Sequence, residues 1–79
     1  TLAVNMDAGA GGDLRVELLD GSGTPIKGHT RDDADRLYGN SVQKTVTWNG
    51  HSSVAALAAR PVRLRFVGRN VKLYAFQFR

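Results

Sequence analysis

Asp32, Asp33 and Asp35 form the densest group of reactive side chains in the chain, and they fall within residues 28–40, the longest stretch without hydrophobic periodicity. Long irregular segments on rigid β scaffolds are where binding groups concentrate. Calcium is one chemistry to consider, since it takes about six to eight oxygens from carboxylates, backbone carbonyls and water. Acids at alternate positions, followed by a glycine and a distant glutamate, are missing here, and Arg31 and Arg36 flank the group. A calcium ion near Asp32, Asp33 and Asp35 and an arginine-paired, solvated loop are both open readings. The other chemistry is glycoside hydrolysis, which needs two carboxyl groups about 5–9.5 Å apart across a sugar. Adjacent loop aspartates do not hold that spacing rigidly, and without a deep pocket to raise one pKa both stay ionised.

Nucleophilic catalysis fares no better. Ser41, Ser52 and Ser53 have only His29 and His51 as bases, with no nucleophile-elbow sequence around them. Two histidines are too few for a zinc site unless carboxylates complete it, and cysteine is absent, so neither a thiolate site nor a disulfide is available. The chain reads as non-catalytic, with no cofactor.

Sugar recognition on a β scaffold combines an aromatic platform for the apolar face of a pyranose with planar polar side chains that bind hydroxyls in pairs. Tyr38 and Trp48 are the candidate platforms, with Arg31, Asp33, Arg36, Asn40 and His51 as polar partners. Trp48 shares strand parity with Val46, which points it inward, so Tyr38 is the better candidate.

Eleven Lys and Arg against seven Asp and Glu give a net charge of +4 and a pI near 10.1. Arg15, Arg63 and Arg65 occupy the polar side of their strands and would form a basic face if those strands share a sheet, with Glu17 able to pair across to one of them. Such a face suits an acidic partner, a polyanion or a neighbouring domain, or it simply keeps the outer surface soluble and guards the strand edges. Tyr74, Phe76 and Phe78 share one side of the last strand and read as core. They match an RNA-binding aromatic sheet only superficially, which argues against nucleic acid.

The elements that must position these residues are strands. Leu2, Val4 and Met6 alternate with polar positions, as do Leu14, Val16 and Leu18, with Gly9, Gly11 and Gly12 between them, which predicts a first hairpin. Asp20-Gly21-Ser22-Gly23 predicts a turn, and Pro25 confines residues 24–27 to a short edge strand. Residues 42–48 read as a strand in which Lys44 has the wrong parity, so either the strand begins after it or a bulge lies nearby. Ser52 or Ser53 caps a short helical turn carrying Val54 and Leu57, ended by Pro61. Residues 62–67 and 71–78, separated by Gly68, Arg69 and Asn70, predict a closing hairpin. The expected fold is a single all-β domain, a small antiparallel β-sandwich of jelly-roll type with one short helical turn. The start at Thr1 and the absence of a signal-like segment fit a domain taken from a longer polypeptide, and no run approaches a membrane span.

Two stretches carry a family likeness: Ser53-Val54-Ala55-Ala56-Leu57-Ala58-Ala59-Arg60-Pro61-Val62-Arg63-Leu64-Arg65-Phe66 and Leu73-Tyr74-Ala75-Phe76-Gln77-Phe78. Together with Gly12-Asp13-Leu14-Arg15-Val16-Glu17-Leu18-Leu19-Asp20-Gly21 and Pro25-Ile26-Lys27-Gly28, the sequence resembles the β-sandwich at the end of bacterial proteins similar to glycoside hydrolase families 32 and 43. The resemblance implies an accessory module that binds carbohydrate or packs on a catalytic domain, in an extracellular or periplasmic setting. It implies no catalytic residue in this chain.

Overall fold

The computed structural model describes residues 1–54 and 61–78. Three strands, β1 (Leu2–Asp20), β2 (Asn40–Thr45) and β3 (Val62–Phe78), form one open antiparallel sheet in the order β2-β1-β3. The 19 residues of β1 would measure about 60 Å at ~3.3 Å per residue. The longest extent of the molecule is 35 Å, so β1 must turn a corner, and β3, paired to it on both sides of that corner, turns with it.

The corner lies where the register jumps from Ala8↔Val71 to Asp13↔Arg69, leaving residues 9–12 of β1 opposite Asn70. Gly11 and Asn70 take positive φ values of 72° and 48°, a region glycine and asparagine tolerate best. The Asn70 side-chain amide donates to the Ala10 carbonyl at 3.2 Å. Past the corner the arms fold toward each other, bringing the rings of Phe66 and Phe76 to a centroid distance of 5.5 Å.

This geometry corrects both expected hairpins. The runs around Val4 and Val16 do not pair with each other, and neither do residues 62–67 and 71–78; each pair of runs is one bent strand. Glycine and asparagine at positive φ serve a corner as well as a reversal, so the local signal is the same for both. The architecture is all-β, with one open sheet of three antiparallel strands. No helix occurs among the described residues; of the expected helical turn, Ser52, Ser53 and Val54 are described and not helical, and the rest falls on residues 55–60, outside the described residues.

The period-2 alternation does place the core. Leu2, Val4, Met6 and Ala8 from one arm and Leu14, Val16 and Leu18 from the other form one cluster, joined by Ala34, Leu37, Val46 and Trp48. β1 is the most buried element because it is paired along both edges. Opposite β3 it meets β2, then the connection: Leu14 exchanges two backbone hydrogen bonds with Leu37 (2.9 and 2.8 Å), and the Leu18 N–H donates to the His29 carbonyl at 2.9 Å. The turn at Asp20 forms as expected, with its Oδ1 accepting from the Ser22 N–H (2.9 Å), the Ser22 hydroxyl (2.6 Å) and the Thr24 N–H (3.0 Å). Pro25 makes only an isolated bridge to Leu19.

Candidate binding face

Residues 28–40 do not present their acids as a cluster. Asp33 accepts from the Thr30 hydroxyl at 2.8 Å, the Thr30 N–H at 3.2 Å and the Asn49 amide at 3.2 Å. Asp35 accepts from the Thr47 hydroxyl at 2.6 Å and the Gly50 N–H at 2.8 Å. Among the described residues no group of three or more His, Cys, Asp or Glu side chains is arranged to hold a metal.

These hydrogen bonds favour the ionised carboxylates. The Thr30 hydroxyl holds Asp33, and the Thr47 hydroxyl holds Asp35, below the ordinary carboxylate value of 3.8. A depressed folded-state pKa contributes stability that is present above the unfolded value and is lost as pH falls through the folded one. Slow exchange of the Gly50 amide is therefore expected to hold at neutral pH and to disappear as pH is lowered below 3.8. Hydrogen exchange read by NMR checks this, and Asp35→Ala should remove the acid-dependent step.

The other candidate ligands have separate partners. The Arg36 Nη1 lies 2.9 Å from Asp13 Oδ2, and the Arg31 backbone N–H donates to Glu17 Oε2 at 3.0 Å. His51 exchanges backbone hydrogen bonds with Trp48 and its residue is exposed. Trp48 is only 1% exposed, its indole N–H donating to the Val16 carbonyl at 2.8 Å and its ring 4.8 Å from that of His29. It fills the core, which corrects its candidacy as a platform: its parity with Val46 decides. His29 Nε2 lies 3.3 Å from the Ser53 backbone carbonyl oxygen. Tyr38 is exposed, and Asn40 sits on β2 opposite Asp7.

Arg15, Arg63 and Arg65 do share one outer face, since Arg15 pairs with Val67, Glu17 with Arg65 and Leu19 with Arg63. Glu17 is buried there, with its Oε1 3.3 Å from the Arg65 Nη1, so the face is partly neutralised. The Arg15 Nε is buried and finds no hydrogen-bond partner among the described residues.

The most distinctive surface lies on the first arm. Two register shifts flank one residue of β1. On the β2 side, Val42 and Gln43 together oppose Asn5, between Val4↔Lys44 and Met6↔Ser41. On the β3 side, Tyr74 is the extra residue between Asn5↔Ala75 and Met6↔Leu73. A bulge re-aims a side chain that regular pleating would send to the other face. Tyr74 and Val42 consequently stand out of the sheet, 60% and 81% exposed, on either side of Asn5. Between and beside them are two shallow depressions, one of about 340 Å³ lined by Asn5, Asp7, Asn40, Ser41, Val42 and Tyr74, the other of about 260 Å³ that adds Gln43 and Gln77.

Of the residues that line this face, the sequence pointed to Asn40 as a candidate ligand and not to Asn5, Val42, Gln43, Tyr74 or Gln77. One signal was visible, the wrong parity of Lys44, and a bulge does lie beside it. The other was Leu73, apolar next to the Tyr74 stripe, which marks a break in the alternation. The stripe itself is a correction: Tyr74 is on the outer face, while Phe76 and Phe78, opposite Val4 and Leu2, lie at the open edge rather than within the core.

No known family model, curated protein or solved structure matches this chain.

Proposed function

We propose that the chain is a non-catalytic accessory module that binds a neutral carbohydrate across the outer face centred on Asn5. The observation that carries this reading is the pair of bulges that expose Tyr74 and Val42 beside a row of amide side chains. The tyrosine ring offers a platform for the apolar face of a sugar, and Asn5, Asn40 and Gln77 offer paired donors and acceptors to ring hydroxyls. Shallow, open depressions suit an extended polysaccharide rather than an enclosed small molecule. In this reading the module accompanies a glycosidase-like catalytic domain.

Affinity electrophoresis against neutral polysaccharides tests it. Retardation by at least one glycan is expected at low and high salt alike, because a contact built on stacking and neutral hydrogen bonds is little screened. Tyr74→Ala is expected to weaken it by about tenfold or more, the effect of removing a central aromatic anchor. Tyr38→Ala should leave it unchanged. Loss on Tyr38→Ala with full retention on Tyr74→Ala would return the site to residues 28–40 and refute the proposal.

A further inference from the structure

β3 forms one outer edge of the sheet, and its unpaired backbone groups can be assigned. Leu14, Leu18 and Asp20 direct their N–H groups away from β3, to Leu37, His29 and Thr24. Hydrogen-bonding direction alternates along an antiparallel strand, so Arg15, Glu17 and Leu19 bond to β3, through their partners Val67, Arg65 and Arg63. The N–H and C=O groups of Leu64 and Phe66 therefore aim at the open edge, and none of the described residues outside the sheet bonds to them.

The side chains along this edge are two-sided. On the inner side Leu64 and Phe66 are half-buried, and the facing arm leaves Phe76 and Phe78 51% and 45% exposed, with Phe76 against Phe66. On the outer side Arg63 and Arg65 are exposed. β3 carries Arg63, Arg65, Arg69 and Lys72 and no acidic residue.

We infer that the edge at Leu64 and Phe66 takes an added β-strand from a partner segment that alternates apolar and acidic residues. Main-chain pairing with Leu64 and Phe66 holds the segment; its inward apolar side chains close over Phe66 and Phe76, and its acidic side chains lie beside Arg63 and Arg65. Charge selects this occupant over a second copy of the chain. Self-pairing would set two cationic β3 strands side by side, and like charges directly opposite one another are destabilising.

Amide hydrogen exchange of the full chain tests the inference with three synthetic peptides: alternating Val and Glu, alternating Val and Lys, and Val and Glu in separate blocks. The alternating Val/Glu peptide is expected to slow exchange at Leu64 and Phe66 by about tenfold or more, and the other two to leave it unchanged. Arg63→Glu, an exposed position whose fold is checked by its melting curve, should weaken the Val/Glu effect by about tenfold, the size of exchanging an attractive rim pair for a repulsive one. No slowing at Leu64 and Phe66, equal slowing by the Lys peptide, or a stable dimer of the free chain protected at these amides would each overturn it.

Discussion

Trp48→Ala is expected to lower the unfolding free energy by about 3–5 kcal/mol, the usual range for truncating a large buried aromatic. The indole is 1% exposed and ties the segment that follows β2 to β1 through the Val16 carbonyl. Truncation would open a cavity and leave that carbonyl without its partner. A 79-residue chain buries a small core, and small domains sit near the low end of the ~5–15 kcal/mol range, so the variant should be substantially unfolded at 37 °C. Trp48→Phe keeps most of the volume and should cost about 1–3 kcal/mol through the lost hydrogen bond and the smaller ring. Urea unfolding followed by far-UV circular dichroism measures both. A cost under about 1 kcal/mol for the alanine variant would contradict a core position.

The second large effect is expected at the corner. A Cβ on Gly12 would lie 2.5 Å from the Asn70 carbonyl oxygen and 2.8 Å from that of Arg69, both backbone atoms of the strand that pairs there. Neither can move without disturbing β3, so Gly12→Ala should cost about 3 kcal/mol, the upper end for overpacking. Gly9 is the control: its nearest obstacle is the Asn70 side-chain amide, at 2.6 Å, which can rotate away by giving up its exposed hydrogen bond to the Ala10 carbonyl. Gly9→Ala should cost about 1 kcal/mol or less. Thermal melts of the two variants discriminate bent strands from hairpins. In an ordinary hairpin loop Gly12 would stand in open solvent, and the two substitutions would be similarly mild.

The alternation in the sequence located the runs that build the three strands and the inner residues of β1, because a strand's side-chain period is a local property, but it carried the second strand on to Trp48, where β2 spans Asn40–Thr45 and Trp48 makes only isolated bridges. Which strand pairs with which is not local. Gly68, Arg69 and Asn70 look like a hairpin connection from the chain alone, and only the continuous pairing of β1 with both flanking runs reveals a corner. The same limit governed the candidate site. Tyr38 drew attention as an aromatic residue in a polar segment, whereas Tyr74 was assigned to the core by parity with Phe76. A single extra residue opposite Asn5 reverses that parity, and nothing within β3 alone fixes where the extra residue falls. Trp48 and the Glu17–Arg65 pair were legible, since inward parity and cross-strand charge follow from strand pattern once the strands share a sheet.

The most direct test of the proposed binding face is a residue-resolved NMR titration of the chain with an oligosaccharide from whichever neutral glycan retards it most. Shift changes confined to Asn5, Asn40, Val42, Gln43, Tyr74 and Gln77, and absent in Tyr74→Ala, are the predicted result. Changes centred on Tyr38 and Arg31, or no changes with any glycan at millimolar concentration, would contradict the account.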